Sequence, residues 1–252
     1  MKQSAVAAKQ FGETAAAYLT SAVHAQGADL QALKEIVGGV EAATVLDLGC
    51  GGGHVSFAVA PLAASVVACD LSASMLDVVA AAAIERGLAN IATQQAQAEA
   101  LPFADASFDF VITRFSAHHW FDVPAGLREA RRVLRPNGVL VVIDVVAPEH
   151  PLHDTTMQAV ELLRDASHVR DYRVSEWNAM LAAAGFAAQH APGWKLKMVF
   201  DDWIARMRTP PERVAAIRSL FDSAPEETRA YFAVEADYSF TIDAALFRAT
   251  KA

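Results

Sequence analysis

The chain has 252 residues, 54% of them hydrophobic, which excludes a disordered protein and allows a full buried core. Its formal net charge of −8 opposes a sequence-independent grip on nucleic acid, because neutralising phosphates needs clustered Lys and Arg. The two cysteines, Cys50 and Cys69, lack metal-ligand spacing and argue against a disulfide framework. The first ten residues lack an apolar core of signal-peptide length and no apolar run reaches membrane-spanning length. The expectation is a cytoplasmic protein with no membrane span and no metal site, monomeric or a homodimer, forming a single domain over residues 1–252.

In chain order, residues 4–37 read as one or two amphipathic helices that a sheet does not require; with the rest of residues 1–40 they would cover a site built on the sheet. Apolar strand-like runs then alternate with helical patterns through a core of residues 41–147. Strands are expected at 44–48, 65–70, 91–95, 108–113 and 138–146, and helices at 54–64, 74–86 and 123–134. Ser72 is placed to cap the second of these helices, and Arg135-Pro136-Asn137-Gly138 reads as a turn ending the third. Arg128, Arg131, Arg132 and Arg135 read as a solvated helix face. Pro148 and Pro151 then break the pattern. Residues 152–184 look helical, within a lid insertion over 148–185, and a strand follows near 195–200. Helical material over 201–235 precedes a last strand over 238–250. This alternation predicts an α/β fold: a Rossmann-like, doubly wound, mostly parallel sheet with an antiparallel last strand and added helices covering the site.

The most informative segment is Val45-Leu46-Asp47-Leu48-Gly49-Cys50-Gly51-Gly52-Gly53. A short apolar strand runs into glycines that allow a tight turn and a close backbone approach to a ligand, before a helix begins at His54. Asp47 would repel a pyrophosphate and attract a cationic nucleoside. Asp70 closes the next strand about 20 residues after the turn, the offset at which an acid meets ribose hydroxyls in doubly wound folds. After the third strand, Gln97-Ala98-Glu99-Ala100-Leu101-Pro102-Phe103 offers backbone and side-chain groups for a base edge.

Together these segments resemble, in order, the motifs of class I S-adenosylmethionine-dependent methyltransferases. The matching residues are Asp47-x-Gly49-x-Gly51-x-Gly53, Asp70-Leu71-Ser72-x-x-Met75-Leu76, Ala98-Glu99-x-Leu101-Pro102-Phe103, Phe108-Asp109 and Leu134-Arg135-Pro136-x-Gly138. Phe11-Gly12, Tyr18, Arg114-Phe115-Ser116-Ala117-His118-His119, Ser167-His168-x-Arg170 and Trp177 resemble the YcgJ-like and UbiE-like (methyltransferase type 11) group more narrowly. The resemblance implies S-adenosylmethionine as cofactor, S-adenosylhomocysteine as product, and an enzyme acting by direct displacement on a small-molecule acceptor. It implies that Gly49 and Gly51 approach the methionine part, Asp70 holds the ribose, Leu71 or Met75 packs on adenine, and Ala98 and Glu99 lie near the adenine edge. Asp47, Arg114 and Tyr18 join these as cofactor-binding candidates. Gln97 departs from the acid common in the family, and Asp47 stands where many relatives have Glu.

The segment from Arg114 to Trp120 leaves the fourth strand and should face the transferred methyl group. His118 and His119 are candidate proton acceptors, with helix capping or packing as the alternative reading. His168 and Arg170 are candidate substrate contacts or an exposed lid surface, and Trp120 is core or an aromatic substrate wall. Two rival functions share the crevice. A nicotinamide-dependent oxidoreductase wants a Gly-x-Gly-x-x-Gly turn, but His54 stands at the last position. A catalytically silent S-adenosylmethionine-binding protein acting through a partner would keep the loop and Asp70.

Overall fold

The computed structural model describes residues 2–12, 27–190 and 193–252, so Tyr18 and His24 lie outside the described residues. Strands β1 (Thr44–Leu48), β2 (Ser65–Asp70), β3 (Ile91–Gln95), β4 (Phe108–Arg114) and β5 (Leu134–Ala147) are parallel neighbours in the order β3-β2-β1-β4-β5. The order reverses between β1 and β4, and such a switch point opens a crevice at the carboxyl ends of the strands. Short β6 (Tyr172–Arg173) joins the end of β5. Beyond β5, β7 (Phe186–His190) and β8 (Trp194–Met198) pair in succession along the antiparallel β9 (Phe240–Lys251).

Helices cover both faces because the central strands β1 and β4 are largely apolar and buried on both sides, whereas the edge strand β3 ends in polar residues. On one face, Leu30, Leu33 and Val37 of α2 (Ala28–Gly38) and Val55 and Val59 of α3 (His54–Val59) bury Val45, Phe110, Ile112 and Val141. The other face carries Leu127, Ala130 and Val133 of α5 (Val123–Val133) with Trp177 and Leu181 of α7 (Val174–Ala183), packed on Leu46, Val111 and Val142. Helix α4 (Ala73–Glu85) packs beside β2 and β3 and is capped by Ser72, whose Oγ accepts from Met75 N. A separate apolar cluster joins α6 (Pro151–Arg164), α8 (Phe200–Arg206) and α9 (Pro211–Ser223) to β8 and β9 through Met157, Trp203, Phe221, Met198 and Phe240. Helix α1 (Gln3–Gly12) and the short α10 (Glu226–Tyr231) complete the described elements. No helix among the described residues is long and apolar enough to cross a membrane.

The structure departs from the sequence expectations in five places. Helix α3 stops at Val59 and a 3-10 turn follows over Ala60–Leu62, because Pro61 has no N–H to continue the helix. Residues 135–138 are extended within β5, opposite a register shift between Phe108 and Phe110; Arg135 Nη1 donates to Asp109 Oδ2 at 2.6 Å and holds that irregularity. The helical reading of 152–184 is interrupted where Asp165 Oδ1 accepts from Ser167 N at 2.7 Å, an Asx turn that competes with the helix. Strand β7 has no alternating apolar pattern of its own; pairing with the end of β9 makes it a strand. The arginines of α5 are also engaged rather than merely solvated: Arg132 pairs with Glu129 and Asp105, and Arg131 Nε donates to the Gly185 carbonyl.

Candidate active site

The glycine turn is held against the neighbouring strand, with Gly49 N and Cys50 N both donating to the Cys69 carbonyl at 2.8 and 2.9 Å. Two glycines there have different reasons. Gly49 has φ +73°, and a Cβ on it would lie 1.9 Å from Ser116 Oγ, so the turn and the loop after β4 approach too closely for any side chain. Gly51 has φ +49° and no atom of the described residues within 4 Å of its Cβ position, so on that count its side of the turn is open to a ligand.

Asp47 is buried at the end of β1 and accepts from Ser56 N at 2.9 Å and Ser56 Oγ at 2.6 Å. Gly53 at the start of α3 has no capping side chain, and the carboxylate of Asp47 supplies the cap from the strand. Burial raises the Asp47 pKa to about 6, against the lowering effect of the Ser56 hydrogen bonds. Asp70 faces the crevice with one oxygen accepting from Gly51 N and the other from Ser72 N, both at 2.9 Å. Each oxygen has a second lone pair free for a ribose hydroxyl. Burial raises its pKa.

Leu71, the buried Met75, Ala98 and Glu99 line the same cavity as Gly49, Gly51 and Asp70. Glu99 Oε1 accepts from Asp122 N at 3.1 Å, so this carboxylate braces the start of α5. The Trp120 indole N–H donates to Ser116 Oγ at 3.2 Å, and its ring fills the space above Gly126, where a Cβ would lie 2.7 Å away. Trp120 is thus both core and cavity wall.

After β4 the chain is re-aimed by Phe115, a non-glycine residue at φ +50° whose N–H donates to the Ile143 carbonyl. Before it, Arg114 Nε donates to Asp29 Oδ2 at 2.5 Å and ties the loop to α2. Beyond it, a 3-10 turn over Ala117–His119 projects both histidines into the cavity. His118 Nδ1 lies 2.6 Å from Asp144 Oδ1, and its backbone carbonyl accepts from Val169 N and Arg170 N. Burial alone would lower the His118 pKa; Asp144, reinforced by Asp171 and Glu161, reverses this and raises it to about 9. His118 is therefore a cation near neutrality. His119 sits 4.2 Å from it, ring to ring, and burial followed by the charge of His118 holds its pKa well below the ordinary range.

The cavity has a volume of about 690 Å³, within the range of small-molecule sites. It extends from the glycine turn past the histidines to a wall that includes Trp194, Leu196, Met198, Trp203 and Leu246, and its polar end carries Glu161, Arg164, Asp165 and Asp171. His168 and Arg170 do not line it. His168 Nε2 lies 3.2 Å from Gln158 Oε1, and burial pushes its pKa down to about 3. Arg170 is paired with Asp154 and Glu176.

Comparison with known proteins fits this geometry. A methyltransferase domain model matches residues 46–142, from β1 into β5. The uncharacterised YafE of Escherichia coli is 50% identical over 200 residues, 79% of this chain and 97% of YafE. The uncharacterised methyltransferase YcgJ of Bacillus subtilis is 37% identical over 224 residues, covering 89% of this chain and 88% of YcgJ. The chain belongs to the methyltransferase family. The crystal structure of YcgJ superposes with a TM-score of 0.83 at 35% identity, covering 88% of this chain and 98% of YcgJ. The ubiquinone/menaquinone biosynthesis C-methyltransferase UbiE of Hahella chejuensis is 41% identical over 114 residues, 44% of this methyltransferase and 46% of UbiE.

Family membership implies S-adenosylmethionine, and the residues fit it. The open side of Gly51 admits close approach, Asp70 presents a fixed carboxylate for a diol, and Asp47 leaves a buried negative charge under the crevice. Site residues that the sequence reading of this methyltransferase missed are Asp144, Glu161, Arg164, Asp165 and Asp171. Asp144 alone has a local signal, as a single charge inside the apolar run over 139–146.

Proposed function

We propose that this enzyme transfers a methyl group from S-adenosylmethionine to a small-molecule acceptor seated in the same cavity. The observation that carries this reading is the continuity of the cavity from Gly51 and Asp70 to a largely apolar wall with a buried polar end. Gly49, Gly51, Asp70, Leu71, Met75 and Ala98 would hold the cofactor; Asp47 acts from beneath through the α3 cap, and Arg114 by fixing the loop that carries the histidines. When bound, the cofactor supplies a methyl carbon already activated by its positive sulfur. What the chain contributes is alignment, exclusion of water and a polar group at the acceptor. The third glycine of a pyrophosphate turn is His54 here, and Asp47 disfavours phosphate, so no observation favours a nicotinamide cofactor.

Calorimetric titration with S-adenosylhomocysteine tests this reading. Wild type should bind, and Gly51→Leu, whose side chain would project into the ligand's space, should fold but lose binding by at least about 100-fold, ~3 kcal/mol. Wild type that gives no heat at millimolar ligand would sink the proposal, as would unimpaired binding by Gly51→Leu.

A further inference from the structure

At the polar end of the cavity two acceptor atoms, on His119 and Asp165, face each other with no donor of the described residues between them. The Ser167 hydroxyl has one proton and lies 2.7 Å from Asp165 Oδ1, which can only accept it as a carboxylate oxygen. With that proton committed, Ser167 Oγ at 3.3 Å and the Ser167 carbonyl at 3.2 Å are both acceptors for His119 Nδ1. Neutral His119 therefore carries its proton on Nδ1, and Nε2 presents a bare lone pair. Nε2 lies 4.0 Å from Asp165 Oδ2, an oxygen that is buried and has no hydrogen-bond partner among the described residues. Two acceptors thus lie side by side, too far apart to bond and with no proton to share. Leaving such a group buried and unpaired costs on the order of 1–3 kcal/mol, which a donor from outside the protein would offset.

We propose that His119 Nε2 accepts the hydrogen bond of a hydroxyl carried by an otherwise apolar, uncharged acceptor, seated in the gap that Nε2 shares with Asp165 Oδ2. This rests on the methyl-transfer reading above. The apolar body follows from the neighbouring wall: Phe11 meets the His119 ring edge-on at 4.7 Å, and Trp194, Leu196, Met198 and Trp203 line the space beyond. An anionic head would meet Asp165 and Glu161, while a permanent cation would meet Arg164 and the charged His118. Groups around His119 come from several elements: His118 on its own turn, Asp144 on β5, Glu161 and Arg164 on α6, and Asp165, His168 and Asp171 in the loop after α6. His118 cannot serve as the hydrogen-bond acceptor, because Asp144 keeps both its ring nitrogens protonated.

A phenolic hydroxyl suits this gap best, as the strongest hydrogen-bond donor among neutral hydroxyls, and the aromatic body that carries it matches the apolar wall.

Nitrogen NMR of the full chain labelled with 15N-histidine tests the assignment, with His119→Gln identifying the resonances. In the free protein His119 should be neutral with its proton on Nδ1 across neutral pH, and His118 should be doubly protonated; this needs no cofactor. With S-adenosylhomocysteine present, 1-naphthol should shift the His119 Nε2 signal, while naphthalene, which lacks the hydroxyl, should not. Asp165→Asn should weaken 1-naphthol binding by about tenfold with S-adenosylhomocysteine affinity unchanged. A protonated His119, a proton on Nε2, or equal responses to 1-naphthol and naphthalene would overturn the proposal. Failure of S-adenosylhomocysteine to bind would instead remove the methyl-transfer reading and leave the tautomer result standing.

Discussion

At the residue scale, Asp70 would connect the fold to the proposed cofactor. Its two oxygens are fixed by Gly51 N and Ser72 N, so the carboxylate is oriented before a ribose arrives and little entropy is lost on binding. Hydrogen bonds to a charged group contribute roughly 1.5–3 kcal/mol each. Asp70→Ala should therefore weaken S-adenosylhomocysteine by about 10- to 100-fold, read by calorimetry; an unchanged affinity would remove Asp70 from the site. His118 carries a pH prediction. Its pKa rises from 6.5 to about 9 on folding, so protonated His118 stabilises the fold fully below pH 6.5, and this is lost as pH rises through about 9. The shift corresponds to on the order of 3 kcal/mol. Urea unfolding should show a stability gap between wild type and His118→Asn that is widest in mild acid and narrows by about that amount in alkaline buffer. A gap independent of pH would contradict the charged state assigned to His118.

At the element scale, α2 is anchored to the sheet by apolar packing and by the ion pair of Asp29 with Arg114, whose side chains are 7% and 5% exposed. Removing one member of a buried pair leaves the other charge poorly solvated. Asp29→Ala should cost about 3 kcal/mol in urea unfolding, whereas a surface pair would change stability by less than about 1 kcal/mol. The parallel core is legible in the sequence because its signals are local: apolar runs, the glycines after Leu48, Ser72 before α4. The same holds for Asp70, whose spacing from the turn follows from one βαβ unit. The polar end of the cavity has no such signature. His119 and Ser167 are 48 positions apart and meet only because Val169 N and Arg170 N dock on the His118 carbonyl. Similarly, the His118–Asp144 pair depends on how β5 sits beside β4, and β7 on pairing with β9. His168 and Arg170 show the reverse: their residue types suit a substrate, but their partners are Gln158, Asp154 and Glu176, outside the cavity wall.

At the scale of the whole molecule, a strand-order reversal places the crevice, and the elements from α6 to β9 close it with their own apolar cluster. On the proposed reading the donor side is built at the carboxyl ends of the strands, and the acceptor side by the segment after β5 together with His119 and Phe11 of α1. The acidic chain and the apolar wall are the grounds for proposing a small neutral acceptor rather than a nucleic acid. The most direct measurement is incubation of the protein with S-adenosylmethionine carrying a deuterated methyl group and a cellular extract separated into metabolite and macromolecular fractions, followed by mass spectrometry. The account predicts the label in a low-molecular-weight product of largely apolar character, absent with Asp70→Ala. Label confined to protein or nucleic acid, or no transfer of label by protein that binds S-adenosylhomocysteine, would contradict it.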